Sequence, residues 1–302
     1  MVRSMSPMHA QRNPRSAIRN PSTLFGLFKL RIGVVIALTA LAGVAIQPGA
    51  ELSALQSAAL FCAVLLASAA AGAFNQYYEV DLDAKMRRTR ARPFVVGRLV
   101  HHRGWLALIA LLVALGVVAS WASGNAWSAL FTFLGAFFYA IVYTVWLKRR
   151  TWWNIVIGGL AGSFAVLAGA SAVAPGLSPQ ALLLALILFL WTPPHFWSLA
   201  IVCRDDYAAA GVPMLPVVKG ERVAARAILA HTIALVALSL VLARLSAGPF
   251  TFALAAAGGA WFIRAAWTLV RAPSRDAARR SFHASLAQLS LLLAGILLDA
   301  GL

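Results

Sequence analysis

Nine apolar runs, each on the order of 20 residues and so long enough to cross a bilayer as a helix, occupy about residues 30–47, 53–75, 105–122, 126–146, 152–172, 180–202, 224–245, 248–270 and 283–301. A backbone that crosses lipid must satisfy its own hydrogen bonds, and runs of this length do so as helices. The expected fold class is therefore all-α, a polytopic membrane protein with nine transmembrane helices. With 61% hydrophobic and only 12% charged residues, the chain is too apolar for an ordinary soluble domain of 302 residues.

Charge tests this division independently, because Lys and Arg accumulate in the cytoplasmic loops of membrane proteins. With the N-terminus inside and nine spans, 25 of the 26 basic residues fall on one side, and only Arg244 falls on the other. Adding or removing one span destroys that asymmetry. The net charge of +17 then describes a positive cytoplasmic face over anionic lipid and not a nucleic-acid surface. Residues 1–28 read as a disordered cytoplasmic tail, with a mitochondrial targeting arm as the alternative, and residues 29–302 as one membrane domain. Cys62 and Cys203 lie in apolar runs and read as packing residues. Gly158, Gly159 and Gly162 read as sites of close helix packing.

Acidic residues are scarce, and five of the nine (Glu79, Asp81, Asp83, Asp205, Asp206) sit in two basic loops or at their helix junctions. Asn75, Glu79 and Asp83 are four apart, so on a helix their oxygens line one face. Amide and carboxylate oxygens suit a hard cation such as Mg²⁺, and the arginines that follow suit phosphate. The pattern favours diphosphate chemistry at a membrane surface. A surface position also implies that substituting Asp83 leaves the bundle's stability nearly unchanged. In the sixth span, Pro193 and Pro194 remove two amide donors and are expected to kink the helix and open a pocket. His195 follows them, and a histidine inside a span is a candidate functional residue. An axial ligand to haem iron, a polar contact to substrate and a structural hydrogen bond to a neighbouring carbonyl are all open to it.

Two motifs make the pattern specific. Asn75-x₃-Glu79-x₃-Asp83-x₂-Met86-x-Arg88-Thr89-x₂-Arg92-Pro93 is followed by Pro194-His195-Phe196 and Asp206-Tyr207-x₃-Gly211-x-Pro213-Met214-Leu215-Pro216-Val217. Together they resemble the protohaem IX farnesyltransferase (haem O synthase) branch of the UbiA-type membrane prenyltransferases, over roughly residues 24–300. The sequence departs from the superfamily at Glu79, where Asp is usual, and the second motif lacks the usual pair of aspartates four apart.

The resemblance implies a barrel-like helical bundle with a cytoplasmic cap formed by the two motif loops. It implies Mg²⁺ held by Asn75, Glu79, Asp83 and Asp206, with Arg88, Arg92 and Lys219 as diphosphate partners and His195 holding haem. The substrates it implies are farnesyl diphosphate and haem B, whose 2-vinyl group would take up farnesyl and water to give haem O. Membrane lipid, a haem A synthase and terminal-oxidase assembly proteins are the implied partners, and a bacterial plasma membrane the implied location. A related enzyme with a quinone-precursor acceptor is one alternative. A secondary transporter is another, disfavoured because its coupling acids would sit near the bilayer midplane rather than at one rim.

Overall fold

A computed structural model describes residues 21–246 and 248–301. Residues 1–20 of the expected tail lie outside the described residues, while Pro21–Leu27 already forms a helix, α1. The elements that follow are α2 (Leu30–Ile46), α3 (Ala54–Tyr78), α4 (Val80–Lys85), α5 (Gly104–Ser123) and α6 (Ala126–Phe137), which runs on as a π-helix over Phe138–Leu147. Next come α7 (Asn154–Gly158), α8 (Leu160–Val173), α9 (Pro179–Val202), α10 (Arg204–Ala209), α11 (Leu215–Val218), α12 (Glu221–Leu245), α13 (Pro249–Arg271) and α14 (Arg275–Asp299). No strand occurs among the described residues. Among the described residues, eight helical stretches are long and apolar enough to cross a membrane, and α1 with α2, bent by 53°, makes a ninth when counted as one span. The chain is thus an integral membrane protein of the all-helical class.

Helix starts follow local chemistry. Ser53 caps α3 through a reciprocal box with Gln56, Asn125 caps α6, Ser178 precedes Pro179 at the start of α9, and Ser274 caps α14. The last helix begins at Arg275, eight residues before the apolar run does, because Ala277, Ala278 and Ser281 bury one face of its charged first turns. Helix α9 continues through Pro193 and Pro194 without interruption, and both prolines are buried.

Neighbouring spans pack as antiparallel pairs, and α2 against α8, α3 against α6 and α9 against α14 close the bundle. Large apolar side chains such as Leu111, Val118, Ile233 and Trp261 are exposed on the outside, as a lipid-facing surface requires. Cys62 is exposed on that surface rather than packed inside, and Cys203 is half-buried. Of the glycines expected to permit close packing, Gly158 faces the Tyr143 ring and Gly159 faces Thr192, but a Cβ at Gly162 would meet nothing.

The tightest crossing lies elsewhere. A Cβ on Gly169 of α8 would overlap the Ala40 carbonyl oxygen of α2, and one on Gly43 would overlap that of Val166. Since the obstructing atoms are backbone, Gly169→Val must push the two helices apart, at a cost of about 3 kcal/mol. Thermal unfolding of the purified variant checks this: an unchanged midpoint would mean the crossing is not tight.

Candidate active site

The first motif runs from α3 through a bend into α4. Glu79 leaves helical geometry (φ −98°, ψ 22°), yet the Glu79 amide still donates to the Asn75 carbonyl at 3.1 Å and the Asp83 amide to the Glu79 carbonyl at 2.8 Å. The bend therefore keeps the four-residue register and turns the three side chains into the protein. Asn75, Glu79 and Asp83 are 3%, 0% and 1% exposed, which corrects the expectation of a surface site.

Burial of these groups demands compensation, and a cation meets each of them. Lys29 Nζ donates to Asn75 Oδ1 at 2.6 Å and to the Tyr139 hydroxyl at 2.8 Å. Lys148 Nζ donates to Glu79 Oε2 at 2.5 Å, and Arg92 to Asp83 Oδ2 at 2.6 Å. Burial raises the Asp83 carboxyl above its usual range despite the Arg92 charge, and burial likewise lowers the Lys148 ammonium against the pull of Glu79.

Lys29 and Lys148 carried no distinguishing signal in the sequence beyond a basic residue at the end of an apolar run. Each is placed by an irregularity. Lys29 takes a left-handed conformation (φ 50°) at the break between α1 and α2, a strained geometry of the kind that gathers at functional sites. Lys148 follows the π-helix, where its amide donates five residues back to Tyr143. The same π-helical turn stacks the Tyr139 and Tyr143 rings at 5.8 Å beside the acids.

The second motif meets the first through Asp206. Its Oδ1 accepts from Arg87 Nε at 2.9 Å, and the carboxylate also accepts from the backbone of Arg87 and Arg88. Burial opposes ionisation of Asp206, but the Arg87 bond and charge prevail and hold its carboxyl below the usual range. Arg88 hydrogen-bonds the Tyr207 hydroxyl, and burial pushes that phenol up to about 12. Asp205 is exposed and pairs instead with Arg275 at the start of α14, and Asp81 forms a two-pronged pair with Arg149 at 2.8 and 2.9 Å. Lys219, by contrast, stands exposed at the end of α11 and bonds none of these acids.

The oxygen set fits a hard divalent ion. Asn75, Glu79 and Asp83 are buried along one bend, and Glu79 Oε1 is buried with no hydrogen-bond partner, so a carboxylate oxygen there retains capacity for a ligand. Among the described residues no three His, Cys, Asp or Glu side chains stand around one point, so Asp206 is not grouped with Glu79 and Asp83 in this arrangement.

His195 lies deeper in the bundle. Its ring is stacked between Trp191 (4.2 Å, 15°) and Phe282 (4.7 Å, 27°), and its Nδ1 lies 2.8 Å from the Ser285 hydroxyl. A hydrogen bond is thus present, but to a serine hydroxyl on another helix and not to the neighbouring carbonyl expected from the sequence, and the Nε2 edge of the ring is not used in it.

A membrane-spanning helical bundle that buries three oxygen-bearing side chains with a cation on each has the groups to receive a metal ion and an anion. Residues 36–292 match the UbiA prenyltransferase family, and the chain belongs to it. It is 57% identical over 281 residues to protoheme IX farnesyltransferase 2 of Paramagnetospirillum magneticum, covering 93% of this chain and 97% of that protein. It is 38% identical to protoheme IX farnesyltransferase of Parvibaculum lavamentivorans, covering 95% and 91% of the two chains. The fold is shared with a solved digeranylgeranylglyceryl phosphate synthase (TM-score 0.75, 19% identity, 94% and 99% covered). It is shared also with a UbiA homologue from Archaeoglobus fulgidus solved with DMAPP and Mg²⁺ (TM-score 0.66, 15% identity, 91% and 99% covered).

Proposed function

We propose that this prenyltransferase moves the farnesyl group of farnesyl diphosphate onto the 2-vinyl group of haem B, with addition of water, releasing diphosphate and haem O. The observation that carries the diphosphate half is the buried triplet Asn75, Glu79 and Asp83 with a cation on each member. The acceptor rests on the protohaem branch of relatives and on His195 in the bundle interior.

Asn75, Glu79 and Asp83 would hold Mg²⁺, with Asp206 drawn in as a fourth oxygen donor only when Arg87 leaves it, and the ion would supply the charge that neutralises the diphosphate as a leaving group. Lys29, Lys148 and Arg92, which sit on those oxygens, are the cations placed to meet the phosphate oxygens, together with Arg87 and Arg88. Lys219, exposed at the end of α11, would have to swing inward from the second motif loop to join them. These cations stabilise the electron pair that leaves with diphosphate when the allylic C–O bond breaks. Tyr139 and Tyr143 present ring faces to the farnesyl cation. The vinyl π electrons then form the new C–C bond, and water captures the resulting cation and loses a proton. Nothing in this sequence requires a covalent protein nucleophile. His195 would hold the haem through its iron. The assay is farnesyl transfer to haem B by the purified protein with Mg²⁺ and then with a chelator: turnover is expected to stop with chelation and return with Mg²⁺, and chelator-resistant turnover would overturn the metal assignment.

The motif loops face the cytoplasm of a bacterial plasma membrane in this reading, with assembly factors for a terminal oxidase or a haem A synthase as receiving partners. A reporter active only in the cytoplasm should work when inserted at Gly97 and fail when fused after Leu302. The reverse pattern would invert the topology.

A further inference from the structure

The hydrogen bonding around His195 points to a second residue. Ser285, fully buried on α14, has one hydroxyl proton and two close polar neighbours: the Phe282 carbonyl at 2.6 Å and His195 Nδ1 at 2.8 Å. Both contacts are hydrogen bonds at once only if the hydroxyl donates to the carbonyl and accepts from Nδ1–H. That places the imidazole proton on Nδ1 and the lone pair on Nε2. With both ring faces covered by Trp191 and Phe282, the Nε2 edge is the part of the ring left for a ligand. Trp191 is anchored to the same residue, since its Nε1 donates to the Ser285 carbonyl at 2.8 Å.

We infer that Ser285 is a positioning residue for haem: it selects the His195 tautomer whose Nε2 binds the iron and fixes the plane of the ring. This rests on His195 being the axial ligand. Histidine ligands ordinarily donate their second nitrogen to an oxygen acceptor that orients them and raises their basicity, and loss of that acceptor weakens metal affinity about 10- to 100-fold. Ser285→Ala isolates the effect, because the backbone carbonyl that holds Trp191 is kept.

The experiment loads the purified full-length protein with haem B and records the ferrous iron–histidine stretching band and the rate of haem loss. Ser285→Ala is expected to lower the stretching frequency and speed haem loss about tenfold, with farnesyl diphosphate binding unchanged. Ser285→Thr, which keeps the hydroxyl, should restore both. In a His195→Ala background, Ser285→Ala should change nothing further. A Ser285→Ala protein with unchanged band and retention would overturn the inference while leaving His195 as ligand. An unchanged haem spectrum in His195→Ala alone would instead remove the axial-ligand reading itself, and the inference with it.

Discussion

Asp83→Asn is expected to reduce farnesyl transfer by about three orders of magnitude, equivalent to about 4 kcal/mol of transition-state stabilisation. The substitution keeps the shape of the side chain and removes one charged oxygen from the metal set. Because Asp83 is buried against Arg92, it also alters stability, contrary to the expectation for a surface group. The two consequences oppose each other. Arg92 loses an ionic partner, which costs on the order of 1 to 3 kcal/mol, while the burial that raises the carboxyl's pKa no longer acts on a charge. The net loss of stability should therefore be small beside the loss of turnover. Retained transfer at wild-type rate would remove Asp83 from the metal set.

Lys148→Met should show the opposite balance, with stability as the larger effect. Glu79 is fully buried, its Oε1 already lacks a partner, and Lys148 is the partner of Oε2. Removing the lysine leaves a whole carboxylate uncompensated, and breaking a buried pair from one side costs about 3 to 5 kcal/mol. The thermal midpoint should fall by several degrees. Added Mg²⁺ should restore more of it than it adds to the unsubstituted protein, because the ion can take over both oxygens. Glu79→Gln in the same background should recover stability and not activity. A Lys148→Met midpoint equal to that of the unsubstituted protein would mean that the pair contributes nothing in solution.

These two residues also mark the boundary of what the sequence can reveal. Apolar length and the distribution of Lys and Arg are sums over many residues, and both survive without knowledge of packing; the spans and the basic end of the bundle were legible for that reason. The four-residue spacing of Asn75, Glu79 and Asp83 was legible too, since the bend at Glu79 preserves the helical register. Their burial was not, because it depends on Lys148, 69 residues from Glu79, turning inward. Lys29 and Lys148 satisfy the same charge asymmetry whether they face solvent or the site. Their direction is set by a left-handed residue and a π-helix, and neither leaves a trace in a 3.6-residue periodicity. Lys219 shows the converse: a basic residue just beyond a recognisable motif that the fold leaves exposed. Ser285 was invisible because its role arises from a contact 90 residues away, with His195.

The central claim is the pairing of a diphosphate donor with haem as acceptor. The direct test offers the purified protein, with Mg²⁺, a limiting amount of farnesyl diphosphate and both haem B and a hydroxybenzoate quinone precursor, and separates the products by chromatography and mass. Farnesyl is predicted to appear on haem together with one hydroxyl group, as haem O, with the aromatic acid unchanged. Farnesylated hydroxybenzoate beside unmodified haem B would contradict the assignment of the acceptor.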